Sequence, residues 1–348
     1  MQTEQSNQAQ PLTLPTTDSL ADQIWKNQDE AVWQAYVQPL ITPSTVVLDA
    51  GGGPGRLLPR LWGAQKIVLA EPDPTYCLKA RSLADCLSRG DMDMVNQLLA
   101  TGFDAAIPEK IRAIAETAQP KANFQALNVP MFEPTIGDHG PFDLIICSHV
   151  VEHTPFTAFQ EAIAAFYTFL KPTGKLIIYG SKAPILYHHN MIVDNATFRT
   201  EIVTREEFVR IAQINQVQTY TNFYINGLPT RYFPFDLFET VLKNPFAPAL
   251  QTIFTEEFQI KPAHTEFSST PCFDVIHWEA YHAHYYHNSM MIQGIYPEYL
   301  EIQGRLGLPL KPIESIEEAA ALEKAVNQNA VLKRLQLVDM IVVAQKAA

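Results

Sequence analysis

Thr45-Val-Val-Leu-Asp-Ala-Gly-Gly-Gly-Pro-Gly-Arg56 is an apolar run that stops at an acid and then places glycine at four of the next six positions. Val46, Val47 and Leu48 suit a strand covered on both faces. Gly51, Gly53 and Gly55 permit backbone conformations, and a close approach of neighbouring groups, that a Cβ would block. A buried strand that hands over to a helix through such a loop is the signature of an open α/β sheet with a ligand against the loop. Spacing narrows the ligand. A dinucleotide fingerprint sets its third glycine three residues after the second, resting a pyrophosphate on the helix N-terminus; here the glycines fall every second residue and Arg56 follows. The bland alternative is a tight strand-to-helix turn with no ligand, and the neighbouring segments decide.

Downstream, a short helix from Arg56 to about Trp62 carries Pro59 in its first turn, where no intrahelical bond is lost. Lys66-Ile-Val-Leu-Ala-Glu71 then reads as a second buried strand that ends in a carboxylate, 22 positions after Asp49 (71 − 49), the separation one βαβ unit needs. An acid there is placed to accept hydrogen bonds from both hydroxyls of a ribose. Helical text fills Leu78–Leu87 and Val95–Leu99, and Asn123–Pro130 contains a short third strand. Phe142–Cys147 is a buried strand running into Ser148-His-Val-Val-Glu-His153. A helix with Phe159, Ala162, Ile163, Phe166, Phe169 and Leu170 on one face follows, Lys171-Pro-Thr-Gly174 stops it, and Lys175–Tyr179 is the fifth strand. Strands alternating with helices give a doubly wound α/β fold.

The flanks complete the layout. Residues 1–17, rich in Gln, Thr, Ser and Pro, form a flexible tail. From Asp18, placed as a cap, Leu20, Ile24, Trp25, Ala31, Val32, Tyr36 and Leu40 recur at helical spacing. Thr204-x-x-Glu207 and Ser315-x-x-Glu318 read as capping boxes, Val217–Ile225 as a sixth strand and Leu337–Lys346 as the closing one. The core is therefore 18–225 plus 337–348, with 226–336 inserted before the last strand as a lid or acceptor-selecting subdomain.

Composition removes several classes. A chain of 348 residues with 47% apolar and 18% charged residues is a soluble globular protein. A net charge of −12 with 25 Lys and Arg argues against tracking nucleic-acid phosphates. Cys77, Cys86, Cys147 and Cys272 show neither C-x-x-C spacing nor a disulfide framework. No apolar run is long enough to span a bilayer, and the N-terminus lacks a signal-peptide layout. No membrane contact and a cytoplasmic location are expected.

Taken in order, Asp49-x-Gly51-x-Gly53-x-Gly55, Glu71 and Ser148–His153 resemble the motifs of the class I, Rossmann-like S-adenosylmethionine (SAM)-dependent methyltransferases of small-molecule type. The resemblance implies a mostly parallel seven-stranded sheet and transfer of a methyl group to a small-molecule acceptor, with O- or N-methylation favoured and S-adenosylhomocysteine as product. It places the methionine part of SAM on Asp49, Gly51, Gly53 and Gly55, the ribose on Glu71 beside Pro72, and Ser148 at the end of the fourth strand. Gln125 stands where the family commonly has an acid facing the adenine amino group, and the Ala126 backbone N–H is an equal candidate. In this family an N-terminal helix packs over the cofactor, so Trp25, Trp33 and Tyr36 either line the site or are core aromatics. The rivals are a SAM-binding protein without activity and a nicotinamide-dependent oxidoreductase, the latter opposed by the glycine spacing.

Methyl transfer needs in-line positioning more than covalent help, and a hydroxyl or amine acceptor needs a base near neutral pH, for which histidine is suited. Two groups compete. His149, Glu152 and His153 share a face if their turn is helical and sit where open sheets present ligands. His277-Trp-Glu-Ala-Tyr-His282-Ala-His284-Tyr-Tyr-His287 lies in the insert and reads equally as pocket lining or as packing. His149, His153 and His284 are the candidate catalytic residues; His149, Tyr187, His282 and Tyr285 are the candidate acceptor contacts, with His188 and His189 nearby. Neither histidine group has a strong zinc spacing, and no metal is assigned.

Overall fold

The computed structural model describes residues 20–101, 123–154, 156–182, 190–194, 199–203, 223–225, 228–230, 235–247, 272–284, 287–288, 304–305, 307–335 and 338–347. The helices are α1 (Leu20–Tyr36), α2 (Leu58–Leu61), α3 (Pro74–Arg89), α4 (Met92–Thr101), α5 (Phe156–Phe169), α6 (Phe235–Lys243), α7 (Ile316–Gln328) and α8 (Ala330–Leu335). The strands are β1 (Val46–Ala50), β2 (Lys66–Ala70), β3 (Phe124–Leu127), β4 (Phe142–Ser148), β5 (Leu170–Lys182), β6 (Asn190–Asp194), β7 (Arg199–Val203), β8 (Phe223–Ile225), β9 (Leu228–Thr230), β10 (Phe273–Tyr281) and β11 (Val338–Lys346).

Seven strands form one sheet in the order β10-β11-β5-β4-β1-β2-β3. β5, β4, β1, β2 and β3 run parallel, while β11 is antiparallel to both β5 and β10. The chain moves from β1 outward to β2 and β3, then returns to place β4 on the other side of β1. The crevice between the carboxyl ends of β1 and β4 is therefore the switch point where open sheets bind ligands.

Strand periodicity explains the two layers. Leu48, Val68, Ile145 and Ile178 face Phe159, Ile163 and Phe166 of α5 and Phe238 of α6. Val47, Ile67, Leu144 and Ile177 face Leu61 of α2, Ala80 and Leu83 of α3, and Trp33 of α1. Each such side chain, fully covered, contributes about 1.5–3 kcal/mol, and both faces of the parallel strands are used.

The expected sixth strand needs correction. Residues 223–225 of the Val217–Ile225 segment pair with β6 and β9 in a separate four-stranded sheet of order β7-β6-β8-β9. The sixth strand of the main sheet is β10, which lies inside the 226–336 stretch read as an insert, so that stretch is not wholly outside the sheet. β10 pairs with β11 as its antiparallel neighbour, with Tyr281 opposite Asp339. β10 is also an edge, and its backbone is covered. Asn327 of α7 accepts the Ala280 N–H at 2.9 Å and donates to the Ala280 carbonyl at 2.7 Å, while Lys333 of α8 donates to the Trp278 carbonyl. An open strand edge is a template for intermolecular pairing, and these helices close it.

Other local expectations can be placed. Ser315 caps α7 by accepting the Glu318 N–H at 3.1 Å. β5 opens earlier than expected: Phe142 pairs with Leu170 and Leu144 with Lys175, so residues 171–174 bulge out. A Cβ on Gly174 would stand 3.0 Å from the Phe142 carbonyl, which requires glycine there. The Asp18 cap and the 204–207 capping box lie outside the described residues.

Candidate active site

The glycine loop is shaped by what lies under and beside it. Gly51 has φ +71°, and a Cβ there would meet the Val150 methyls at 2.6 and 2.7 Å. Val150 follows β4, so the two sides of the switch-point crevice touch only because Gly51 has no side chain. Gly52 leaves room for Asp49: a Cβ would stand 2.6 Å from Asp49 Oδ2. Asp49 is 1% exposed, and its Oδ2 has no hydrogen-bond partner among the described residues. Burial, with the nearby Glu71 charge second, pushes this carboxyl up to about 7.

Glu71 closes the loop from the β2 side. Its Oε2 accepts the Gly53 N–H at 3.0 Å and its Oε1 accepts the Asp73 N–H at 2.8 Å. Burial raises its pKa, and the two N–H donors pull the other way. Asp73 in turn caps α3, accepting the Thr75 and Tyr76 N–H groups. One carboxylate thus ties the glycine loop to the start of the next helix.

The adenine-side expectation shifts along the chain. Gln125 is level with Val68, three residues before the strand tip, or about 10 Å at the usual strand rise; the structure does not bring its side chain to Glu71. Asn128 is at the tip instead, donating to the Glu71 carbonyl at 3.1 Å and to the carbonyl of exposed Pro72 at 2.7 Å. Ala126 is buried, and its carbonyl accepts from Arg81 at 3.0 Å.

At the end of β4, half-buried Ser148 pairs with Tyr179. His149 takes the left-handed conformation, φ 53°, and its N–H donates to the Tyr179 carbonyl at 3.0 Å. Its Nδ1 lies 3.0 Å from Glu152 Oε1. Glu152 is buried, and its Oε2 lies 3.2 Å from where a Cβ on Gly180 would stand; any side chain there would displace it. Desolvation pulls the His149 pKa down, but the Glu152 hydrogen bond and charge outweigh it, aided by Asp339 and Asp29, and hold it up to about 9. The ring is 41% exposed, so water weakens both the desolvation and the pull of the acids, and the direct Glu152 hydrogen bond sets the direction. This direction favours the imidazolium form, from which His149 would have to lose a proton before acting as a base. His153 is exposed and ends the same turn.

The second histidine group arrives at this edge through β10. His277, Glu279 and Tyr281 lie on the strand, and the chain breaks at His282, φ 58°, so the group is neither one helix nor one strand. His282 Nδ1 lies 2.8 Å from Asp339 Oδ2, both fully buried, and His284 is 1% exposed. Tyr281 and Tyr179 meet edge to face at 6.3 Å between ring centroids. Neither hydroxyl has a hydrogen-bond partner among the described residues. Burial raises the Tyr281 pKa, and the charges of Asp339, Asp29 and Glu152 add to the rise. Tyr187, His188, His189 and Tyr285 lie outside the described residues.

Of the α1 aromatics, Trp33 is a core residue, and Tyr36 reaches the β10 histidine group. Trp33 is 2% exposed, donates to Gln38 at 2.9 Å and carries Arg60 over its ring. Tyr36 donates to Glu279 and stacks on His277 at 4.4 Å; the Trp25 side chain lies outside the described residues. Sequence reading missed Gly52, Asn128, Val150, Tyr179 and Asp339. Asn128 was open to discovery as the first polar residue past β3, whereas the other contacts are long-range. Among the described residues no group of three His, Cys, Asp or Glu is arranged to hold a metal, and no helix is long and apolar enough to cross a membrane.

A family model described as a methyltransferase domain matches residues 25–210, more than half of the chain. No curated protein matches in sequence. Among solved structures, the chain is similar to a SAM-dependent methyltransferase from Mesorhizobium loti, with 12% identity, 93% of this chain and 100% of that one covered, and a TM-score of 0.40. A geranyl diphosphate C-methyltransferase from Streptomyces coelicolor A3(2) shares 8% identity over 97% and 86% of the two chains, TM-score 0.37. A cyclopropane synthase from Mycobacterium tuberculosis shares 11% over 92% and 84%, TM-score 0.37. With the family model covering the glycine loop, Glu71 and the Ser148–His153 turn, the chain belongs to the methyltransferase family and is a class I, SAM-dependent enzyme.

Proposed function

We propose that this enzyme methylates an oxygen or nitrogen of a small-molecule acceptor bound at the carboxyl edge of the sheet, between His149 and the Tyr281–His284 segment. The observation that carries the donor half is Asp49: a buried carboxylate oxygen without a partner, under a cradle that a Cβ would fill. Such a group fits a cationic ligand, and SAM bears both an ammonium and a sulfonium. Asp49 and the Gly51–Gly55 backbone would hold the methionine part, Glu71 the ribose, and Asn128 the adenine side. SAM supplies an electrophilic methyl group on sulfur. The protein's part is to fix an acceptor in line with it, which accounts for most of the rate, and to receive the acceptor's proton at His149 Nε2 once that nitrogen is free.

Acceptor size and charge follow from the surroundings. A net charge of −12 and the acids Asp29, Glu152 and Asp339 around His149 favour neutral or cationic small molecules over polyanions. Described stretches of 226–336 supply Tyr281, His282 and His284 at that edge, so we keep acceptor selection there, with Tyr187 and Tyr285 as further candidates. The four cysteines are free thiols, which suits a reducing, cytoplasmic setting.

Calorimetry with S-adenosylhomocysteine tests the donor site. Tight binding is expected, and Glu71→Ala should weaken it by about 1–3 kcal/mol through loss of charge-assisted hydrogen bonds; unchanged affinity removes Glu71 from the site. Incubation with SAM and a panel of phenols and amines should form S-adenosylhomocysteine with at least one neutral or cationic acceptor. Turnover confined to anionic acceptors would overturn the acceptor reading.

A further inference from the structure

The geometry around His149 raises a question that the proposed donor site makes sharp. The imidazole is tied through Nδ1 to Glu152 at 3.0 Å, so the Nδ1 proton is donated to a carboxylate and the exchangeable proton is the one on Nε2. Every charged group that raises its proton affinity is an acid: Glu152 from its own turn, Asp339 from β11 and Asp29 from α1. Asp29 is paired with Arg60 at 3.3 Å and Asp339 with His282 at 2.8 Å, so the direct bond to Glu152 carries most of the effect. The next residue, Val150, forms the wall against Gly51, so the His149 backbone lies at the rim of the loop assigned to the methionine end of SAM. A sulfonium placed there would add a positive charge beside a histidine held by a carboxylate.

We infer that His149 carries a proton on Nε2 in the SAM-free protein and releases it to solvent when the sulfonium arrives, so that donor binding itself generates the base. This rests on the donor site proposed above. Two like charges about 6 Å apart in a partly buried site shift a proton equilibrium by about two pK units. Applied to a group held near 9, that shift carries it to about 7.

The cycle closes without further groups. As the bond from sulfur to methyl breaks and the bond from methyl to the acceptor oxygen or nitrogen forms, the acceptor's proton passes to Nε2. The positive charge leaves sulfur as it appears on His149, so the imidazolium is again stable beside the neutral thioether product. Glu152 acts as a positioning residue: it fixes which nitrogen exchanges the proton and keeps the resting histidine charged. An acceptor that binds before the donor meets an imidazolium and cannot be deprotonated.

The test compares SAM with S-adenosylhomocysteine, which differ at sulfur by one methyl and one charge. Calorimetric titrations of the full chain at pH 8, in two buffers of different ionisation enthalpy, count the protons exchanged. Wild-type protein should release about 0.8 proton more with SAM than with S-adenosylhomocysteine. Asp49 is largely ionised at that pH and is common to both titrations. His149→Asn, chosen because asparagine tolerates the left-handed conformation at this position, should abolish the difference while both ligands still bind. Glu152→Gln should also shrink it, because the resting histidine is then neutral. Equal proton counts in the wild type, or a difference that survives His149→Asn, would overturn the inference and leave the donor site standing. Failure of both ligands to bind would instead overturn the donor site.

Discussion

Replacing Asp49 by asparagine should make the protein more stable at pH 8, about as stable at pH 5.5, and its donor site weaker. In the native state the carboxyl holds its proton to about 7, against 3.8 as the unperturbed value. A carboxyl whose folded pKa lies above its unfolded one binds more protons in the native state between those values, so stability falls as pH rises from about 4 to 7 and is flat above. By pH 8 the accumulated cost is about 4 kcal/mol, and at pH 5.5 about 2 kcal/mol. Asparagine removes that titration but buries an amide without a partner, at about 1–3 kcal/mol. The amide term does not depend on pH. The stability difference between Asp49→Asn and wild type should therefore grow by about 2 kcal/mol from pH 5.5 to pH 8, read by urea unfolding monitored through tryptophan fluorescence. Affinity for S-adenosylhomocysteine should fall at least tenfold in the same variant. A stability difference that is the same at both pH values would refute the view that burial, rather than a partner, sets the state of Asp49.

Gly51→Ala combines a positive φ with a Cβ 2.6 Å from Val150; it should destabilise by about 1–3 kcal/mol and loosen S-adenosylhomocysteine binding, and an unchanged melting temperature would show that the crevice can open freely. Asn327→Ala leaves the Ala280 N–H and carbonyl on the β10 edge uncovered, at about 1–3 kcal/mol. Light scattering should show increased self-association, because an open edge pairs with other chains; a variant as monodisperse and stable as wild type would mean that α7 is not the guard of that edge.

Much of the fold was legible because buried parallel strands are local signals. Val46–Leu48, Lys66–Ala70 and Phe142–Cys147 are apolar runs bounded by polar or glycine punctuation, and each became a strand. Ser315-x-x-Glu318 worked for the same reason, since a cap is satisfied within one turn. β10 was not legible. Its text, Phe273–Tyr281, with one histidine and aromatics on no regular spacing, carries no clear period, and its partner β11 is far along the chain, Tyr281 opposite Asp339. Antiparallel pairing to a distant strand, not local propensity, made it a strand, and it moved the sixth strand from 217–225 into the supposed insert.

The sequence by itself determined the donor side of the site: the alternate-residue glycines and the acids at the ends of β1 and β2 are dictated by backbone conformation and by one βαβ unit, both short-range. It put His149, Glu152 and His153 on one face only if their turn were helical; His149, at φ 53°, stands outside the Val151–His153 turn, and its bond to Glu152 depends on that backbone. Only the tertiary structure decided what those residues are chemically. Burial raises the Asp49 carboxyl to about 7, and Glu152, with Asp339 and Asp29 from a strand and a helix, raises His149 to about 9. Electrostatic environment is a sum over neighbours in space, and neighbours drawn from three separate elements are set by packing rather than by any local run of sequence.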